Sequence, residues 1–184
     1  MLSPLRCLPL LIVLALVLVA GCRQSSPPPV SSATGPCGAV GVDEPLPDLA
    51  FTSVQGQTLR LSELKGKVVL LDFWAILCAG CVEGLDGYQQ DPALVGNPKL
   101  QIIAVSRDKS PAVVKKFAEE HHWTFPVVVS TPEVEKALLG TGQIALPQVR
   151  LIDPQGRLRY RLDFSEVTHE TVKCLVGELM NDKR

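Results

Sequence analysis

Two cysteines separated by two residues, Cys78-Ala79-Gly80-Cys81, stand just after an apolar run, Val68-Val69-Leu70-Leu71-Asp72-Phe73-Trp74-Ala75. No other feature constrains this chain as tightly. The run is aliphatic for four residues and then turns aromatic, which predicts a buried strand. Cysteines at this spacing close into a disulfide with little loss of chain entropy. If the first lies at a helix N-terminus, the partial positive charge there stabilises its thiolate. Strand, CxxC and helix in that order point to a pair that cycles between dithiol and disulfide. Half of a zinc site has the same spacing, but no second CxxC and no His pair follows at zinc-finger distance.

The flanking segments extend the pattern. Asp72-Phe73-Trp74-Ala75, two further residues and the CxxC resemble the active-site stretch of thioredoxin. Upstream, Val42-Asp43-Glu44-Pro45-Leu46-Pro47-Asp48-Leu49 and Leu61-Ser62-Glu63-Leu64-Lys65-Gly66-Lys67-Val68 are similar to the opening of TlpA/ResA-type proteins. Those are membrane-tethered, thioredoxin-like thiol–disulfide oxidoreductases that work outside the cytoplasm. Downstream, Ala145-Leu146-Pro147 and Val149-Arg150-Leu151-Ile152-Asp153-Pro154-Gln155-Gly156 resemble their cis-proline loop and the hairpin after it. The resemblance runs from about residue 41 to the C-terminus, in the right order throughout. It implies an α/β, thioredoxin-like fold. A central mixed sheet is flanked by helices, with an N-terminal β-hairpin and a strand–helix–strand insert.

The residues read on their own agree. Leu49–Thr52 and Thr58–Leu61 flank a turn at Gln55-Gly56-Gln57, a hairpin signal, and Ser62 is placed to cap a short helical turn ending at Gly66. Leu100–Ser106 and Phe125–Val129 read as strands. Ser110-Pro111 and Thr131-Pro132 open helices as cap and first-turn proline, and Val113, Val114 and Phe117 form the apolar face of the first. A hairpin turning at residues 153–156 and a C-terminal helix complete the order.

The N-terminus addresses compartment. Residues 1–21 read as a lipoprotein signal peptide: Arg6, then a thirteen-residue apolar stretch from Leu8 to Ala20, short of the roughly 20 residues a spanning helix needs. Val19-Ala20-Gly21-Cys22 resembles a bacterial lipobox, making Cys22 the lipidated residue; an ordinary secretory signal is the other reading. Residues 22–40 are a Ser/Pro-rich tether and residues 41–184 the folded domain. Loss of Arg6 leaves 17 basic against 19 acidic residues, with no basic patch, which argues against nucleic acid as a partner. The domain is large enough for one real core, and a monomer is expected.

Of the six cysteines, Cys7 leaves with the leader and Cys22 carries lipid. Reserving Cys78 for Cys81 leaves Cys37 to meet Cys174. Val172, Leu175, Val176 and Leu179 form the stripe of the last helix, and Cys174 lies about 160° from Val172, away from it. An exposed free thiol is a liability outside the cell, so a Cys37–Cys174 structural disulfide is expected to pin the N-terminal arm to that helix.

Cys78 is the expected nucleophile and Cys81, one helical turn on, the resolving thiol. Asp72, an acid within an apolar strand, is expected to have a raised pKa and to take the Cys81 proton; a strand-end Asp bonded to backbone is the alternative. Trp74 is read either as part of the substrate site or as core. The resemblance places Pro147 in cis against the CxxC, where the backbone of Leu146 pairs with a substrate strand. It also implies a reductase fed by a transmembrane thiol carrier, acting on apocytochrome c haem-site thiols or copper-site assembly proteins. No cofactor and no metal site are implied.

Some positions depart from the family pattern. Leu77 stands where Trp is usual, Gly80 replaces a common proline, and Gly84 holds a position often Glu, so that neighbouring Glu83 inherits no role. Gly84, Gly87 and Pro92 weaken the active-site helix. His121 and His122 read as solvated helix-end residues, and His169 has no sequence partner. Two rivals trail. A Sco-like copper(I) chaperone uses CxxxC and a His near the second hairpin, and a thiol peroxidase needs Thr where this chain has Ala75.

Overall fold

Seven consecutive buried residues, Val68–Trp74, form the strand on which the rest is built. The computed structural model describes residues 37–182. Its elements run β1 (Gly41–Pro45), β2 (Ala50–Thr52), β3 (Thr58–Arg60), a 3₁₀ turn (Leu61–Leu64), β4 (Val68–Trp74), α1 (Ala79–Gln90), β5 (Leu100–Ser106), α2 (Pro111–Glu120), β6 (Val127–Val129), α3 (Pro132–Leu138), β7 (Gln148–Ile152), β8 (Arg157–Leu162) and α4 (His169–Asn181). Six strands form one mixed sheet in the order β1-β8-β7-β4-β5-β6. β4 is parallel to β5 and antiparallel to β7. This is the thioredoxin-like α/β arrangement, with β2–β3 as the N-terminal hairpin and β5–α2–β6 inserted before the proline loop.

β4 shows no polar alternation because both its faces are covered. Val68, Leu70 and Trp74 pack under residues of α1, α2 and α4, including Leu85, Val114 and Val176. Val69, Leu71 and Phe73 pack under the hairpin and α3, against Phe51, Val134 and Leu138. The hairpin is tied to the sheet edge through Val54 N–H to the Val127 carbonyl, 2.8 Å.

Local signals set most boundaries. Ser110 and Thr131 accept from Val113 and Val134 N–H as N-caps, each with proline in the first turn. α1 runs unbroken through Gly84 and Gly87, because Cys81, Leu85 and Tyr88 anchor its inner face, and it stops before Pro92. Elsewhere the chain differs from expectation. β1 is a strand, paired antiparallel to β8 at the sheet edge, and Arg161 bonds Glu44 across that pair at 2.7 Å. Ser62 lies inside the 3₁₀ turn and donates to Asp48 instead of capping, while Glu63 accepts from Arg60 N–H. Val113 is exposed; Val114 and Ala118 form the buried face of α2, since the helix sits one position further round than the hydrophobic count suggests.

Candidate active site

The parallel strands β4 and β5 end at one edge of the sheet, and the chain leaves β4 there for the CxxC. Cys78 is the N-cap of α1, and its Sγ accepts from Cys81 N–H at 3.3 Å. Its carbonyl accepts from Cys81 and Val82 N–H at 3.0 and 3.1 Å. These amides belong to the helix end that stabilises negative charge, so the reduced Cys78 sulfur is held where a thiolate is favoured. Cys78 is partly exposed and Cys81 is buried, with Cα atoms 5.3 Å apart and the two sulfurs bonded. The outer sulfur is open to attack and to partners; the inner one is reached only through it.

Asp108 holds the approach to Cys78, a residue that sequence reading passes over. Its Oδ2 accepts from Ile76 N–H at 2.9 Å and from Ser106 Oγ at 2.8 Å, while Arg107 N–H donates to the Trp74 carbonyl. A loop residue following β5 thereby fixes the turn following β4.

Asp72 is buried on the α1 side of β4. Burial pushes its carboxyl up to about 8, with the nearby Tyr88 hydroxyl acting in the opposite direction. Its Oδ1 has no hydrogen-bond partner. A carboxyl raised toward neutrality can exchange a proton with a thiol without a large mismatch in driving force.

Leu146–Pro147 is a cis peptide. β7 runs antiparallel to β4 with Gln148 opposite Phe73, so the next step in register brings the proline loop to the sheet edge from which the CxxC departs. Gln148 Nε2 donates to the Ala145 carbonyl at 3.0 Å, and Arg150 donates to Gln148 Oε1 at 2.6 Å, which ties the loop down from within. Cys78, Cys81, Leu146 and Pro147 thus lie at the end of the sheet where β4 leaves for α1, with Asp72 two positions back along β4.

Trp74 does not belong to a substrate surface. It is fully buried and packs edge-on to Trp123, ring centroids 5.0 Å apart, and beside Phe117 at 5.6 Å. It is a core residue because its side chain points under α1 and α2. Leu77, by contrast, is 97% exposed beside Cys78. Glu83 is exposed on the outer face of α1. His121 is not a solvated end group: it stacks on Phe117 and its Nδ1 lies 3.0 Å from Asp86, which also accepts from Trp123 Nε1 at 2.7 Å. His169 finds Asp91, 3.0 Å from its Nε2, and lies so close to α1 that a Cβ at Gly87 would sit 3.2 Å from its ring. Lys173 and His169 together hold the Asp91 carboxyl well below the usual carboxylate range. A groove of about 870 Å³ follows the outer face of α1 from Ala79 and Gly80 past Gly84 to Val167 and His169.

Away from the pair, Cys37 and Cys174 are bonded, their Cα atoms 5.8 Å apart. Cys22 and the leader lie outside the described residues. Among the described residues no helix is long and apolar enough to cross a membrane, and no cluster of three or more His, Cys, Asp or Glu is placed to hold a metal ion.

Residues 42–161 match the AhpC/TSA family. The chain belongs to that family. Its relatives include the thiol-disulfide oxidoreductase ResA of Geobacillus kaustophilus, 31% identical over 121 residues, covering 66% of this chain and 68% of that one. ResA of Geobacillus thermodenitrificans is 29% identical over 135 residues, 73% of this chain and 76% of that protein. In fold the chain resembles a thiol:disulfide interchange protein of Chlorobium tepidum, with TM-score 0.67 and 20% identity over 76% of this chain and 98% of the other. Within the family, this chain is a thiol–disulfide oxidoreductase of thioredoxin-like fold.

Proposed function

We propose that Cys78 and Cys81 form the redox-active disulfide of an extracytoplasmic exchange enzyme that reduces disulfides in other proteins. The observation that carries this reading is the cap: Cys78 Sγ receives the Cys81 amide at the start of α1, with the Cys81 sulfur buried behind it. Reduced Cys78 attacks a substrate disulfide, and one substrate thiolate leaves. Cys81 gives its proton to Asp72 and attacks Cys78, releasing the second substrate thiolate and closing the Cys78–Cys81 bond. Leu146 and Pro147 offer the backbone edge on which a substrate strand lies.

Residues 1–21 act as a lipoprotein signal, Cys22 carries the lipid anchor, and residues 22–40 tether the domain at 41–184 to the membrane. The Cys37–Cys174 bond is structural, consistent with an oxidising compartment. A transmembrane thiol carrier supplies electrons. The substrates are disulfide-bearing proteins of cytochrome c maturation or copper-site assembly, and the enzyme works as a monomer.

The test is covalent trapping in cells. Cys81→Ser stalls the cycle at the mixed disulfide, so specific partners run as adducts on a non-reducing gel and disappear when Cys78→Ser is added. A folded, correctly localised Cys81→Ser protein with no adducts overturns the reading and points to copper(I) held by the two thiolates.

A further inference from the structure

Residues 141–147, which carry the proline loop, are joined to the rest of the fold by very little. Among the described residues, no backbone N–H or carbonyl of this stretch bonds another backbone group. The N–H and carbonyl of Leu146 therefore have no partner there, as an edge that receives a substrate strand requires. The hydrogen bond that does hold the stretch comes from a side chain: Gln148 Nε2 donates to the Ala145 carbonyl at 3.0 Å. That anchor is deep. Gln148 and Arg150 are both buried, and as alternate residues of β7 they share one face of the sheet. Arg150 Nη2 donates to Gln148 Oε1 at 2.6 Å. The rest of its guanidinium bonds the carbonyls of Leu138, at the end of α3, and of Val149 and Leu162.

The chemistry of the link is specific. A guanidinium only donates and a carbonyl only accepts, so a side chain joining them must offer an acceptor to one and a donor to the other. Glutamine does both; an ionised glutamate only accepts, and leucine does neither. The bond from Arg150 also fixes which way the amide is turned, since Oε1 must face the guanidinium and Nε2 is left for Ala145. Order set by a buried arginine thus reaches the loop through one side chain. A cleft of about 360 Å³, lined by Gln143, Ile144 and Ala145 of the loop and by Gln148, Arg150 and Asp163, leaves the loop room to move if that bond is lost.

We infer that Gln148 is a positioning residue for polypeptide substrates: by holding the Ala145 carbonyl, it keeps the backbone of Leu146 ready to pair with a substrate strand. It thereby sets how tightly a protein disulfide is bound and leaves the sulfur chemistry alone. The inference rests on the reading of Leu146 as the edge that receives the substrate. A loop ordered beforehand gives up little backbone freedom when substrate arrives, whereas one released from Gln148 must be ordered at that moment. The loss falls on binding, because Cys78 and Cys81 are held by α1 and by the turn that follows β4, not by this loop. A small disulfide without a peptide backbone draws nothing from the edge and does not sense Gln148.

The full-length protein, reduced beforehand, is mixed with a synthetic peptide closed into a ring by a disulfide, whose opening is read by fluorescence. The peptide leaves as a dithiol while the Cys78–Cys81 bond closes, so atoms and electrons balance within one turnover. In parallel the protein meets dithiobis(nitrobenzoate), which has no backbone to pair. Gln148→Leu and Gln148→Glu are expected to raise the half-saturating peptide concentration roughly ten-fold, the weight of about one net hydrogen bond. The limiting rate, and the rate with dithiobis(nitrobenzoate), should stay within about two-fold of the parent. Gln148→Glu keeps an acceptor for Arg150 and reads the loss of the Ala145 bond even if Gln148→Leu folds poorly. A ring peptide N-methylated beside its cysteines cannot pair with an edge; the parent should bind it more weakly, and the Gln148 variants should lose nothing further with it. Suppose N-methylation weakens binding to the parent. If the Gln148 variants then bind the unmodified peptide as the parent does, slow both probes alike, or weaken both peptides equally, the role of Gln148 is overturned and the edge stands. If N-methylation changes nothing in the parent, the edge itself falls and takes this inference with it.

Discussion

Asp72 and Arg150 are buried on adjacent strands of one sheet, on opposite faces, and the fold treats them in opposite ways. Arg150 stands opposite Leu71 on β7 and is 3% exposed, yet its guanidinium donates to the carbonyls of Leu138, Val149 and Leu162 and to Gln148 and Asp163. Its donors are used, so the charge is fixed in place and joins the end of α3, the proline loop and β8. Asp72, 1% exposed one position along β4, has no hydrogen-bond partner on its Oδ1. A saturated group is a structural joint, and an undersupplied one is free to exchange a proton. The contrast sets a fully bonded guanidinium and an undersupplied carboxyl on one strand pair.

The comparison can be broken most easily at Arg150. Arg150→Met strips several buried acceptors of their donor and is expected to lower stability by about 3–4 kcal/mol in urea unfolding, at every pH from 4 to 9 alike. A smaller loss, or one that varies with pH, means the guanidinium is not the joint described. Asp72→Asn is the next largest and has the opposite sign. With the carboxyl at about 8 when folded and 3.8 as its ordinary value, the unfolded chain ionises first. Between these values the folded state retains a proton that the unfolded state has released, so stability falls as pH rises and levels off above pH 8. The loss is on the order of 4 kcal/mol at pH 7, and Asn, which never ionises, avoids it at the cost of a buried amide of about 1–3 kcal/mol. The variant should be about 2 kcal/mol more stable than the parent at pH 7, and not at pH 4, while its resolution step slows. A parent whose stability is flat between pH 4 and 8 contradicts the desolvated carboxyl. The smallest effect belongs to Asp163→Asn: this partner of Arg150 is 64% exposed on its side chain, so its loss should cost below about 1 kcal/mol. A larger value would make Arg150 an ion pair first and a carbonyl ligand second.

What could be read in advance divides by range. β4, α1 and the caps at Ser110 and Thr131 are written within a few residues, in apolar runs and Ser-Pro or Thr-Pro pairs, and they formed as read. Five strands of the sheet, β8-β7-β4-β5-β6, fit the thioredoxin-like order that the resemblance implied. β1 was illegible because Gly41–Pro45 has no strand composition of its own; it is held by pairing with β8 and by arginines more than a hundred residues away. Asp72 stood out as an acid in an apolar run, but the Tyr88 hydroxyl near it did not, since an inward tyrosine on a helix reads as ordinary core. Asp108 and His121 were missed for the same reason: their partners Ile76 and Asp86 are 32 and 35 residues away. Trp74 was ambiguous in sequence because an aromatic next to an active site serves either purpose, and packing against Trp123 and Phe117 decides it.

The bond between Cys37 and Cys174 spans 137 residues and sits upstream of β1, an edge strand paired with β8 alone. Its consequence is mechanical. Tension on the chain before Cys37 would otherwise peel β1 from β8 one hydrogen-bonded pair at a time, the weakest direction in which a strand can be loaded. With the sulfurs joined, the load bypasses β1 and enters α4, whose Val172, Leu175, Val176 and Leu179 are seated in the core. Pulling then acts on a whole packed helix, so the domain can be held by its N-terminal side without its sheet coming undone.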